Sequence, residues 1–529
     1  MRRVVALCVA ARAANVVYVV TDDQDQMLGS GFPAETTPLR KTKALLADQG
    51  VTLVNAFAHV PLCNPSRACT LTGKFFHNIK ATGRPQNAAH VRMDAVHDRS
   101  FAVDFAAAGY ATGLFGKYAN AMPRGFVPRG WDSWMAHGND GTYLGPTFQT
   151  KNVEGVPDAF GEGERWAAPA DAYSTAVIGN ASVAFLRKHL PRRKTLLYVA
   201  PKAVHGPFAP APWHRDAWDD AWPSEAPRTA WNLSNAARAK HATNVPSQKL
   251  LSATAAAVVD GTWRNRWRCL LAVDDLVEAL VGTVEEVGAL DETYFFYTSD
   301  HGFHLGQLNM LFGKRHPYDF DTRIPLVVRG PGIEAGTTLS QLVTNVDFAP
   351  TFADLAGLPS RGDWDGSSLT PLLFSHGKAV AWRVSVPIEY HFWANHTKCT
   401  GCPAPDIGYP VRDAACADLS STPNALCWGG PEQCDPADCY SVEADGRNNF
   451  LALRRISAAR DVLYAKYQTG HQFVDDVDFS RPDAFELFDL AADPWCERNV
   501  YENTDAALLK ALDVELDAWY ACAGATCRD

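Results

Sequence analysis

The chain has 529 residues, 47% of them hydrophobic and 20% charged, which allows two or more domains around a large core and is ordinary for a soluble globular protein. Acidic residues (59) outnumber basic ones (49), giving a formal charge of −10. That balance argues against nucleic acid as a partner and requires any anionic ligand to find a local cationic pocket. No uninterrupted apolar run reaches the roughly 18 residues of a membrane span, and no internal repeat or low-complexity tract is present.

Residues 1–13 combine two early arginines, the apolar run Val4 to Ala10 and the small-x-small triplet Ala11-Arg12-Ala13, the pattern of a secretory signal peptide. A cytosolic or incomplete N-terminus is the competing reading. Cysteine usage favours the secretory pathway, with an extracellular or lysosome-like destination. Cys399, Cys402, Cys416, Cys427, Cys434 and Cys439 crowd a stretch rich in Gly, Pro and Asp, which reads as a disulfide-stapled insertion at 399–439. Cys399-x-x-Cys402 as half a zinc site is the weaker alternative, because no second Cys-x-x-Cys or His pair completes the spacing. Sequons at Asn180, Asn232 and Asn395 agree with glycosylation.

In chain order, Asn15 to Val20 reads as a buried strand that delivers Thr21-Asp22-Asp23 at its carboxyl end. A helix over 37–50 follows, with Leu39, Leu45 and Leu46 on one side and Gly50 as its stop. Val51 to Ala58 is the next strand, and a turn at Pro61 and Pro65 places Cys63 where a helix begins. Phe101 to Gly109 is helical and leads through a short strand into Gly116-Lys117. Ala170 to Leu190 is a helix, and Thr195 to Ala200 a strand ending before Pro201-Lys202-Ala203-Val204-His205.

From there to about Arg264 the chain is irregular and rich in Pro and Trp (Trp213, Trp218, Trp222, Trp231). Packing over a core is the simpler reading of these tryptophans; a platform for sugar rings is the alternative. Trp267 to Leu290 is an amphipathic helix, and Thr293 to Ser299 a strand leading into Asp300-His301-Gly302. Ile324 to Arg329 is an apolar strand, and Asp347 to Ala356 a helix closed by Gly357. This alternation predicts an α/β domain over 14–373, a large sheet flanked by helices. Beyond it, strands at Phe450 to Leu453, Val462 to Lys466 and Ala484 to Leu490, with a helix from Ala506 to Tyr520, predict a smaller α+β domain over 374–529 built on an antiparallel sheet.

Asp22, Asp23 and Asp300 therefore fall at strand ends, the rim where an open α/β sheet binds ligands. Gathered carboxylates need a cation between them, and oxygen donors suit Ca²⁺ or Mg²⁺. A single Asp-Asp pair would more often be a helix cap or a solvated turn. Cys63 at a strand-to-helix junction is placed to hold a nucleophile, because the first helical turn offers unpaired N–H groups and partial positive charge, with Arg67 one turn on. For an isolated cysteine, a buried structural role would be the plainer reading.

The spelling of Cys63 to Gly73, Cys-Asn-Pro-Ser-Arg-Ala-Cys-Thr-Leu-Thr-Gly, resembles the type I sulfatase signature Cys-x-Pro-Ser-Arg-x-x-x-(Thr/Leu)-(Thr/Leu)-Gly. Cys63, Pro65, Ser66, Arg67, Leu71, Thr72 and Gly73 fill its fixed positions. The resemblance implies an alkaline-phosphatase-like sulfatase fold with a large mixed sheet. It also implies that a formylglycine-generating enzyme oxidises Cys63 to formylglycine, whose hydrated aldehyde carries the attacking hydroxyl, so that residue 63 is not a thiol in the mature protein. One divalent ion, usually calcium in the family, would be held by Asp22, Asp23, Asp300 and His301, with the side chain at 63 completing the shell. His301 stands where many members have an amide.

Lys117, in Gly116-Lys117-Tyr118, and Lys314, in Gly313-Lys314-Arg315, match the two sulfate-binding lysines of the family. His205, in Val204-His205-Gly206-Pro207, matches the histidine that contacts sulfate and protonates the departing oxygen, while Arg67 orients the nucleophile. Each of these taken alone reads as a surface lysine or a turn histidine. Ala119 and Asn120 occupy the places where several members carry a further histidine. Which group breaks down the sulfated intermediate is thus open, with His205 a candidate for both steps.

Thr21-Asp22-Asp23-Gln24-Asp25, Gly116-Lys117-Tyr118, the run Asn265 to Leu280 and Tyr297 to Gly332 look like family members acting on N-acetylglucosamine 6-sulfate and like the algal arylsulfatases. The expected activity is hydrolysis of sulfate monoesters, of a sulfated carbohydrate or an aryl sulfate. A broad arylsulfatase, a phosphomonoester or phosphonate hydrolase of the same superfold, and a catalytically silent binder of sulfated glycans are the rivals.

Overall fold

The structure is a computed structural model and describes residues 14–32, 36–79, 91, 93–120, 125–137, 141–161, 163–223, 227–242, 245–248, 250–251, 253–391, 448–469 and 477–528. The signal-like segment 1–13, the sequon Asn395 and the cysteine-rich stretch 399–439 lie outside the described residues.

The large sheet is built from β1 (Asn15–Thr21), β2 (Val51–Leu53), β3 (Ala111–Gly116), β4 (Ser133–His137), β5 (Thr147–Lys151), β6 (Trp166–Ala167), β7 (Thr195–Ala200), β8 (Thr293–Ser299), β9 (Leu326–Arg329) and β10 (Thr337–Leu339). Their spatial order is β10-β2-β9-β8-β1-β7-β3-β4-β5-β6. The centre, β8-β1-β7-β3-β4, is parallel. The outer strands make the sheet mixed: β9 runs antiparallel to both β8 and β2, and β5 and β6 run antiparallel at the other edge.

β1 is buried along its whole length because it has a strand on each side and helices on each face. Its period-two alternation divides the core. Val16, Tyr18 and Val20 join the cluster containing Ala68, Leu71, Phe348 and Phe352 from helices α1 (Cys63–Thr72) and, later in the chain, Phe348–Leu355. Val17 and Val19 join Ile178, Phe185, Leu270, Val273 and Val277 from α2 (Ser174–His189) and α3 (Ala253–Glu286) on the opposite face. In register, Thr21 of β1 pairs with Ser299 of β8, and Gly116 of β3 with Ala200 of β7. The loops carrying Asp22-Asp23, Lys117, His205 and Asp300-His301 therefore leave from one rim.

Several expected boundaries shift. The helix expected over 37–50 starts only at Arg40, as a helical turn followed by a π-helical stretch Lys43–Ala47; Pro38 disfavours a helical Thr37. The strand expected over 51–58 breaks after β2. Ala56–Phe57 instead pairs with Arg323–Ile324 and Val343–Thr344 in a separate three-stranded sheet, with the Asn55 amide bonded to Ser340 O (2.7 Å) at the break. α3 begins at Ala253, inside the stretch expected to be irregular. Trp218 and Trp222 pack against Trp263 and Trp267 in its first half, so packing accounts for them, while Trp213 is 55% exposed.

The C-terminal sheet is a four-stranded antiparallel one formed by β11 (Ser385–Tyr390), β12 (Asn449–Ile456), β13 (Asp461–Gln468) and β14 (Ala484–Asp489) in that order. One face carries the last helix, Ala506–Ala521, through Leu512 and Leu516. The other face contributes Val386, Ile388, Phe450, Ala452 and Phe488 to the same apolar cluster as α1. Cys522 and Cys527 form a disulfide. Among the described residues no helix is long and apolar enough to cross a membrane.

Candidate active site

α1 is buried throughout and ends at Gly73, whose φ of +65° is the left-handed stop that glycine takes without strain. Its first turn is pinned to the end of β8. The Ser66 hydroxyl donates to Asp300 O (2.5 Å), and the Asn345 amide donates to Ser66 O (2.9 Å) and Ser66 Oγ (3.0 Å). Cys63 is thereby held under the rim of the parallel strands.

Four of the expected site residues converge there. Ligating atoms of Asp22, Asp23, Cys63 and His301 all lie within 4.8 Å of one another, and all four residues are buried. Cys63 Sγ is 3.4 Å from Asp22 Oδ1, 3.3 Å from His301 Nε2 and 3.2 Å from Lys314 Nζ. Asp23 sits at φ +64°, a conformation that aspartate tolerates. It is held by its backbone N–H, which donates to Asp300 Oδ1 (3.1 Å). Asp300 stands one step behind: Oδ1 also accepts the His301 N–H (3.0 Å), and Oδ2 accepts Arg67 Nε (3.0 Å). His301 Nδ1 faces Gly302 O at 2.9 Å; a carbonyl takes only a proton there, so Nε2 turns a lone pair toward the cluster.

Three cations face the three carboxylates. Lys117 Nζ lies 2.6 Å from Asp22 Oδ2, Lys314 Nζ 2.5 Å from Asp23 Oδ1, and Arg67 spans Asp300 and Lys117 O (2.7 Å). Burial alone would raise the Asp22 carboxyl, but Lys117, His205, Arg67 and Lys314 together hold it well below the usual range. Burial opposes ionisation of Asp23 as well, and Lys314 leads the groups that bring it down to about 2. Lys314, which burial would deprotonate, is pushed up by Asp23 first. Burial lowers His301. His205, with 23% of its side chain exposed, has Nε2 4.0 Å from Asp23 Oδ2 and so stands at the mouth of the cluster.

Three further residues were not singled out by sequence reasoning. Arg266 on α3 donates to Asp23 O (2.8 Å) and Asp25 Oδ1 (2.6 Å), bracing the Asp22-Asp23 loop from the far face of the sheet. Asn345 ties α1 to its neighbours. Lys202, buried, has Nζ 3.4 Å from His205 Nδ1. Arg266 lies in the Asn265 to Leu280 run, which was the available signal; Asn345 and Lys202 carried none.

The donor set suits a hard divalent cation, since two ionised carboxylates offer oxygens to one point and one imidazole adds a lone pair. Without it the cluster is balanced, three negative groups against three positive. With it the pocket carries the excess positive charge that a sulfate monoester requires.

Among solved structures, one in complex with its substrate D-glucosamine-2-N,6-O-disulfate superposes with a TM-score of 0.68 at 23% identity, covering 96% of this chain and 97% of that one. A phosphonate monoester hydrolase from Silicibacter pomeroyi superposes at 0.62 with 20% identity, covering 95% and 93%. These likenesses define the architecture as the alkaline-phosphatase-like fold used by sulfatases. The sulfatase family model matches residues 14–358, and the chain belongs to that family. It is a sulfuric ester hydrolase. Its relatives include N-acetylglucosamine-6-sulfatase of Homo sapiens, 33% identical over 536 residues covering 99% of this chain and 88% of that protein. An extracellular sulfatase SULF-1 homolog of Drosophila melanogaster is 34% identical over 72% of this chain and 33% of its own length.

Proposed function

We propose that the chain removes 6-O-sulfate from N-acetylglucosamine-type residues of sulfated glycans, with Cys63 as the precursor of the nucleophile. The observation that carries the reading is the side chain of residue 63 lying within 3.4 Å of Asp22, His301 and Lys314 at once. The near full-length likeness to a human N-acetylglucosamine-6-sulfatase supports the choice of sugar.

The Cys63 thiol stands where formylglycine would supply a hydroxyl nucleophile after maturation by a formylglycine-generating enzyme. Asp22, Asp23 and His301 would hold one Ca²⁺, which when bound supplies charge stabilisation to the sulfate oxygens, while Asp300 fixes the Asp23 and His301 backbones behind them. Lys117 and Lys314 present ammonium groups to the oxygens that gain charge as the S–O bond breaks. Arg67 fixes Asp300 and the Lys117 backbone, and so orients the first turn of α1. His205 Nε2, at the open side, donates the proton that the departing sugar oxygen needs. The disulfide Cys522–Cys527 and the extracellular relatives support maturation in the secretory pathway.

The test is sulfate release from a panel of sulfated monosaccharides by protein made alongside the modifying enzyme. N-acetylglucosamine 6-sulfate should be the preferred substrate, and Cys63→Ala should be inactive on all of them. Undiminished turnover by that variant removes the mechanism, and preference for another sugar removes only the substrate.

A further inference from the structure

Away from the catalytic rim, the seam between α1 and the four-stranded sheet holds a second buried cluster: His59, His77, Glu389 and His391. Glu389 Oε1 lies 2.6 Å from His59 Nε2 and 2.9 Å from His77 Nδ1, and it accepts the His77 backbone N–H at 2.8 Å. Its other oxygen, Oε2, is 3.1 Å from His391 Nε2. His59 and Glu389 have almost no solvent exposure.

The His59 ring presents a specific difficulty. Its Nδ1 faces Pro387 O at 2.8 Å, while its Nε2 faces the Glu389 carboxylate at 2.6 Å. A neutral imidazole has one N–H and one lone pair, yet both nitrogens here confront acceptors. Once Nδ1 donates to the carbonyl, Nε2 directs a lone pair at a carboxylate oxygen. Only a positive species between them relieves that opposition, either a second proton on the ring or a metal ion. An Nδ1–H bonded to a backbone carbonyl is also the arrangement that fixes a histidine whose Nε2 ligates a metal.

We propose that His59 Nε2, His77 Nδ1 and Glu389 Oε1 form a structural zinc site, with His391 steadying Glu389 through Oε2. Two imidazole nitrogens and one carboxylate oxygen are donors that zinc accepts and that Ca²⁺ does not prefer. Metal bonds of about 2.0–2.1 Å would spread the ligands by roughly half an ångström from the separations of a proton-bridged cluster. The ion would bind the end of β11 to the two segments flanking α1. The His59 N–H donates to Asn345 Oδ1 (2.9 Å), and Asn345 in turn holds Ser66, so the site also braces the helix that carries Cys63.

The decisive experiment uses the full-length protein and Co²⁺ as a spectroscopic stand-in for zinc, with elemental analysis of the protein as purified. The wild type, and an Asp22→Asn/Asp23→Asn variant disabled at the catalytic rim, should carry stoichiometric zinc. Both should develop the visible bands of Co²⁺ held by imidazole nitrogen and carboxylate oxygen after metal exchange. His59→Gln should lose both signals, and His391→Gln, which leaves the ligands in place, should bind zinc about 10–100-fold more weakly. A folded wild type that holds no zinc and gives no Co²⁺ bands overturns the proposal and leaves the cluster as an imidazolium–carboxylate tie. Zinc that disappears with Asp22 and Asp23 but survives His59→Gln overturns it equally.

Discussion

The Lys117 ammonium lies 2.6 Å from Asp22 Oδ2, with both side chains at or below 1% exposure. A carboxylate proposed to hold the cation and a lysine expected to meet sulfate are therefore direct partners. The pairing keeps Asp22 ionised and Lys117 extended across the pocket. Replacing Lys117 by Met removes a donor whose interaction with the sulfate oxygens strengthens only as the S–O bond breaks. The expected loss in kcat is about 10²–10³-fold with a smaller change in KM, as for deletion of one oxyanion donor. Steady-state kinetics on an aryl sulfate checks it; a rise in KM alone would confine Lys117 to ground-state binding.

Asp22, Asp23 and Asp300 were legible because parallel strands leave their loops on one rim and all three fall at strand ends, whereas Lys117 and His205 were legible only through the resemblance to the family. Cys63 was legible from the spelling around it. Arg266 was not, because it acts from mid-helix across the sheet and helical periodicity records only which face is apolar. Asn345 and Glu389 were equally silent, since their partners Ser66 and His59 are far away in sequence and a single buried polar residue leaves no pattern. The break at Asn55 escaped because a continuous apolar run does not reveal that its two halves serve different sheets.

The cation contest at Asp23 gives a prediction about metal removal. Lys314 Nζ lies 2.5 Å from Asp23 Oδ1, and Arg67 Nε lies 3.0 Å from Asp300 Oδ2, so each carboxylate has a cation of the chain's own beside it. Chelation should therefore abolish turnover while leaving far-UV circular dichroism unchanged, and Ca²⁺ alone should restore the rate. In Lys314→Met the Asp23 carboxylate loses its nearest cation, so removal of the ion should also lower Tm. Equal Tm values for the two apo proteins would show that Lys314 does not stabilise the empty site.

His137, at the end of β4, is fully buried, and burial brings its pKa down from 6.5 to about 3, with Lys202 and Lys117 adding to the shift. The folded state thus keeps this ring neutral, while the unfolded chain protonates it below about pH 6.5. The unfolded state then binds more protons, and stability falls as pH drops from about 6.5 toward 3. The penalty is roughly 2 kcal/mol at about pH 5. His137→Gln cannot take up that proton, so its stability should decline less between about pH 7 and about pH 4. Urea midpoints across that range decide it, and parallel profiles for variant and wild type would reject the assignment.

A buried ion pair ties the C-terminal sheet to the larger domain. Arg454 on β12 reaches Asp319 through two bonds, Nε to Oδ1 at 2.8 Å and Nη2 to Oδ2 at 3.2 Å, while Nη1 reaches Asp461 at 2.5 Å. Both Arg454 and Asp319 are buried, and the guanidinium also lies over the Phe57 ring at 5.4 Å. Arg454→Met keeps most of the stem but strands the Asp319 carboxylate, whose remaining cation, Arg323, is 3.8 Å away. Removing one partner of a buried pair costs about 3–5 kcal/mol, more than the pair contributes over an apolar replacement. Equilibrium urea unfolding should show a loss near the lower end of that range, because Arg323 offsets part of the charge. The double variant Arg454→Met/Asp319→Asn should recover part of the loss, since no bare carboxylate then remains in the seam. A double variant that is as unstable as the sum of its single variants would mean that the two side chains act independently and that the junction is held by its apolar contacts instead.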